Sequence, residues 1–136
     1  QEQKNFSAAL GNTEAFFGNV AEIPPKSVDA AVTALNMHHM NAERAGPYLR
    51  EILAALKPGG RAAIIDHVGV AGANNGMLHR MLPTDGKTWV QQAGFEIVAE
   101  PDILRTTADD HTLSVEDPIL GRDVDQFMFI VRKPQR

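Results

Sequence analysis

Two apolar runs joined by one amphipathic helix limit most strongly how this chain can fold. VDAAVTAL, residues 28–35, is nearly continuously apolar, and so is RAAIID, residues 61–66. Runs of this kind read as strands buried on both faces, the pattern of a parallel sheet. Between them Leu49, Ile52, Leu53 and Leu56 recur at i, i+3, i+4 and i+7, a single helical stripe. Pro47 suits the first helical position, where its missing N–H costs nothing. Lys57-Pro58-Gly59-Gly60 ends the helix. Pro58 fits the second place of a type II turn, and Gly59 the third, which needs positive φ. The result is a strand–helix–strand unit with a right-handed crossover and two parallel strands. Asn36–His39 and Asp66-His67 then share one carboxyl edge, the side on which open α/β sheets bind ligands.

The remaining elements are shorter. Phe6, Ala9 and Leu10 allow a helical turn over residues 6–10, and EAFFGNV, residues 14–20, reads as a strand before Pro24-Pro25. Residues 68–82 form a Gly/Asn-rich loop that reaches Met77-Leu78-His79-Arg80. Trp89, Val90 and Ala93 mark a short helix stopped by Gly94. FEIVA, 95–99, and FMFIV, 127–131, read as strands. Residues 102–126 are acidic and aperiodic, and connections of that length are often lids or disordered. Asp109, Asp110, Glu116 and Asp117 there read as a solvated loop, with Arg122 pairing Asp125 across the last strands.

Composition narrows the partners. The 136 residues suffice for a single domain, 1–136, with a modest core. A net charge of −4 argues against nucleic-acid or anionic-membrane partners. Without cysteine there is no disulfide and no thiolate metal site. The first residues lack an apolar signal core, and no run approaches a membrane span. The chain starts at Gln1 rather than Met, which fits a start inside a longer gene product. Compartment stays open: cytoplasmic, or exported with a signal upstream.

The ordered set Asn36–His39, LKPGGR (56–61), Asp66-His67, Leu78–Arg80, Ala93–Phe95 and Asp125–Phe127 resembles the C-terminal half of class I S-adenosylmethionine-dependent methyltransferases. It is most similar to a bacterial group of predicted methyltransferases. The resemblance covers about residues 15–134. It implies an α/β, incomplete Rossmann-like methyltransferase fold: a mainly parallel sheet, a final antiparallel strand, and the first strands missing. It implies a methyltransferase acting on a small molecule with S-adenosylmethionine as donor. Such enzymes hold the cofactor with a Gly-rich loop after the first strand and an acid after the second, and no such unit precedes residue 14. GVAGANNG, residues 69–76, follows a strand but has the spacing G-x-x-G-x-x-x-G, so it reads as a substrate-side loop. The chain therefore reads as a half-domain that binds the cofactor weakly or not at all.

Site residues follow from this edge. His39, then His38, is the expected general base, since a base near working pH helps a hydroxyl or amine acceptor. Being adjacent in an extended segment, only one of the two is expected to face the pocket. Asp66 would fix a tautomer of His38, His39 or His67, or bind the acceptor. His79 and Arg80 would bind an anionic substrate group. By resemblance, Asn19 meets the adenine, and Leu35 and Asn36 line the cofactor edge. Two other readings stand beside this one. The chain could be a non-catalytic module, a homodimer or larger, covering an exposed strand edge at 14–20 or 28–35. Alternatively, His38, His39, Asp66, His67 and His79 could converge on a metal, although no HxH or HxxxH spacing sharpens that.

Overall fold

A computed structural model describes residues 9–135. The elements are β1 (Val28–Ala34), α1 (Ala42–Ala55), β2 (Leu56–His67), α2 (Asn75–Leu78), α3 (Pro83–Ala93), β3 (Glu96–Ala99) and β4 (Gln126–Arg132). Single 3-10 turns form at Val20–Glu22 and Met37–His39. The sheet order is β1-β2-β4-β3. β1 and β2 are parallel, and β4 runs antiparallel to both of its neighbours. Three strands therefore point one way and the last strand runs against them, as expected.

The strand–helix–strand unit forms, with two changes. The helix begins at Ala42, not Pro47, because the Asn41 side chain caps it by accepting from the Arg44 N–H at 3.0 Å. Pro47 lies inside the helix. Gly59 has φ 77, as the turn requires, and the pairing jumps from Val28↔Leu56 to Ala30↔Arg61 across it.

The strands are not buried on both faces. Along β4, Phe127, Phe129 and Val131 are buried and alternate with half-buried neighbours. In β2, Ala62, Ile64 and Asp66 are buried in the same way. The buried face packs under Leu49 and Ile52 of α1 and Val90 and Ala93 of α3. The other face is partly open, and Val32 in β1 is 71% exposed. Among the described residues β1 pairs with β2 alone, which explains its exposure. Residues 14–20 form no strand and do not pair with that edge. The helical turn expected at residues 6–10 falls largely outside the described residues.

α3 runs longer than the sequence suggested, starting at Pro83, and Gly94 ends it with φ 109. An added Cβ there would meet Leu53 Cδ2 at 3.2 Å. Gly94→Ala should lower stability by at least about 1 kcal/mol in urea unfolding. An unchanged midpoint would contradict this assignment of the helix stop.

Residues 100–125 carry no helix or strand, yet they are firmly tied down. Asp109 is buried, not solvated. It accepts two hydrogen bonds from the Arg80 guanidinium, each 2.8 Å, and one each from the N–H groups of Asp125 and His111. Asp125 pairs with Arg105 and His111, not with Arg122. Asp110 and Glu116 are exposed, as expected.

Burial pushes both carboxyls up, but their hydrogen bonds outweigh it. Arg80 and two backbone N–H groups hold Asp109 below the ordinary value of 3.8. Arg105, His111 and the Thr106 N–H do the same for Asp125. A depressed folded pKa contributes stability above the unfolded value and loses it as pH falls through the folded one. Urea midpoints should therefore be flat from neutral pH down to about 4 at these two groups and fall below it. The acid loss should shrink in an Asp125→Asn variant.

Candidate functional site

The carboxyl ends of β1 and β2 gather four of the five histidines. Leu35 ends β1 in the left-handed region, φ 62, and turns the chain into the 3-10 turn that carries His38 and His39. That turn corrects the extended segment expected from sequence. The two rings share one side, with centroids 4.0 Å apart. His79 also has a positive φ, 56, as the cap of α2. Non-glycine residues in this region store roughly 1–3 kcal/mol of strain each, and such residues cluster at functional sites. His79 stands 5.9 Å from His38 and 5.8 Å from His39, and His67 stands 5.4 Å from His38, ring centre to ring centre.

Asp66 organises this group. It is fully buried. Its Oδ1 accepts from His38 Nδ1 at 2.7 Å and from the His67 N–H at 2.8 Å; its Oδ2 accepts from the His38 N–H at 2.8 Å. A carboxylate only accepts, so His38 carries its proton on Nδ1 and leaves Nε2 bare when neutral. The same logic fixes His67, whose Nδ1 donates to the His79 carbonyl at 3.0 Å. Burial lowers the pKa of His67 against the raising effects of that carbonyl and of Asp66. Of the three rings Asp66 was expected to orient, it takes His38. His39, the preferred base by sequence, is exposed, and among the described residues no carboxylate holds its ring.

Arg80 does not reach this edge as a substrate ligand. It is buried behind it, held by Asp109 and by the carbonyls of Val68 and Leu113. His79 does face the cluster and lies 3.7 Å from Glu116 Oε1. The Asn36 amide donates to Thr33 Oγ1 at 3.2 Å, and that hydroxyl meets the Tyr48 hydroxyl at 2.8 Å. Asn36 thus braces the end of β1. Asn19 sits in a separate turn, its N–H bonded to Glu22 Oε2 at 2.8 Å, and that turn packs on α1. The positive-φ residues carried no warning in the sequence, since neither is Gly or Asn.

The Gly-rich stretch after β2 folds onto itself. The Gly69 N–H donates to the Met81 carbonyl at 2.7 Å, Ala73 N–H to Val70, and Asn75 N–H to Ala73. A cradle for a nucleotide needs such groups free. Gly69, Ala73 and Asn75 therefore have no free backbone N–H to offer one.

The fold is similar, in part, to that of solved S-adenosylmethionine-dependent methyltransferase structures. No family model and no curated protein sequence matches the chain. Among solved structures it is similar to the 4+2-cyclase SpnF, with TM-score 0.70 and 20% identity, covering 98% of this chain and 60% of that one. It is also similar to a SAM-dependent methyltransferase from Methanosarcina mazei, with TM-score 0.63 and 12% identity over 88% and 66% of the two chains. A third is the Burkholderia thailandensis 1,6-didemethyltoxoflavin-N1-methyltransferase, bound to 1,6-didemethyltoxoflavin and S-adenosylhomocysteine. There the TM-score is 0.65 and the identity 20%, over 98% and 56%. The chain thus spans 56–66% of these three structures. One of the three is a cyclase, so the fold alone does not name a reaction. No helix among the described residues is long and apolar enough to cross a membrane.

Proposed function

We propose that the chain forms the acceptor side of a methyltransferase-type site and takes a small molecule with a hydroxyl or amine at the histidine edge. The Asp66–His38 pair carries this reading. Asp66 holds the ring in one tautomer, and the bare Nε2 is the atom that would take the acceptor's proton. His39 and His79 flank it and would bind the acceptor. S-adenosylmethionine would be the donor, with Leu35 and Asn36 forming one border of its place, and the rest of its cradle would come from outside the described residues. Calorimetry with S-adenosylhomocysteine tests this division: the chain alone should show no micromolar one-to-one binding. Such binding would overturn the acceptor-side reading.

A second reading is favoured by the open edge of β1. Val32 within it is 71% exposed. Exposed apolar strand edges seek partners. The chain would then act as a homodimer or larger assembly through this edge. Light scattering that gives a monodisperse monomer at high protein concentration would remove this reading.

A further inference from the structure

We infer that the histidine edge is a binding site for a divalent transition metal of the zinc class, with His38, His39 and His79 as ligands. One ligand atom from each of these three residues lies within 4.8 Å of the others. Tetrahedral zinc with nitrogen bonds near 2.0–2.1 Å needs donors about 3.3 Å apart. The gap closes by small rotations, and His39 is exposed and His79 one-third exposed, so both rings have room to turn.

The groups that hold these rings from behind add to their proximity. Metal-binding histidines almost always donate their other ring N–H to a carboxylate or a backbone carbonyl. His38 donates to buried Asp66, and His67 donates to the carbonyl of His79 itself. The first contact fixes the ring that would bind through Nε2. The second holds the strained backbone that presents His79. Four imidazoles packed together without an ion would also be an unusual use of polar side chains at a strand edge. Imidazole donors suit zinc, copper, nickel and iron, and three of them leave a fourth position open for water or a ligand oxygen.

The ion and an acceptor's proton would compete for the same His38 Nε2, so His38 acts as base only in the ion-free chain. With the ion bound, an acceptor oxygen would be held at the open position, made more acidic there by the ion, and would lose its proton to solvent. The inference is independent of the methyl donor, and its test needs none.

The experiment uses the chain stripped with a chelator, then titrated with Zn2+ by calorimetry and with Co2+ by visible absorption. One equivalent should bind, and Co2+ should give the intense d–d bands of a four-coordinate site. His39→Ala and His79→Asn should abolish stoichiometric binding while far-UV circular dichroism stays unchanged; Asn suits the left-handed backbone at residue 79. Asp66→Asn should weaken Zn2+ about 10–100-fold. Absence of one-to-one binding, or binding that survives both histidine substitutions, would overturn the site. Either result leaves the cofactor calorimetry untouched, so failure of the metal site and failure of the acceptor-side reading can be told apart.

Discussion

Asp109→Ala should destabilise the chain by about 3–5 kcal/mol, the range for breaking a buried ion pair by removing one partner. Both side chains of the Arg80–Asp109 pair are fully buried. Removing Asp109 strands a buried guanidinium with only the carbonyls of Val68 and Leu113 as partners among the described residues. The loss spreads further, because Asp109 also accepts from the N–H groups of Asp125 and His111. Residues 102–125 would loosen from the end of the sheet. Since whole domains are stable by only about 5–15 kcal/mol, the variant should be close to unfolded at room temperature. Urea unfolding monitored by Trp89 fluorescence measures it. The paired replacement Arg80→Met with Asp109→Leu should recover the part of the loss that comes from a charge left buried alone, but not the part from the N–H groups of Asp125 and His111. A single-variant loss under about 1 kcal/mol, the value of a surface pair, would contradict the arrangement.

The second large effect is expected at Asp66. Asp66→Ala removes the acceptor for the His38 ring and for the N–H groups of His38 and His67. Each buried donor left without a partner costs about 1–3 kcal/mol, less when water enters. The chemical effect should exceed the structural one. Without the carboxylate, His38 is free to place its proton on Nε2, which removes the lone pair from the edge. In a form of the site that turns over, kcat should fall about 10²–10⁴-fold, the contribution of a positioned base, with KM nearly unchanged. Asp66→Glu should rescue poorly, since one extra methylene moves the oxygens out of a fully buried slot. Equal losses in kcat and stability, with KM rising, would mean that Asp66 is structural only.

Much of this was legible in the sequence, and the reasons are specific. Period and turn chemistry placed β1, α1 and β2, because Leu49 and Ile52 face the core and Gly59 takes its positive φ. Those same elements put Asp66 and His38 on one edge. The burial of β1 was misread because an apolar run does not say whether a neighbouring strand exists to cover it. Residues 14–20 are apolar enough for a strand but do not pair with the open edge of β1. Arg80 looked like a substrate ligand because nothing local announces a partner 29 positions away. Asp109 sits in an acidic run, and its burial comes from that same distant contact. The convergence of His38 with His39 depended on a 3-10 turn and a left-handed Leu35, neither of which residue type favours.

Asp66 and the His79 carbonyl hold His38 and His67 with their ring protons on Nδ1 and with Nε2 bare. Long-range nitrogen–proton correlation spectra of the histidine rings read this directly. In metal-free chain, the neutral rings of His38 and His67 should both show the Nδ1–H tautomer, and in Asp66→Asn the His38 pattern should shift while that of His67 persists. A neutral His38 that carries its proton on Nε2 in the wild-type chain would contradict the account.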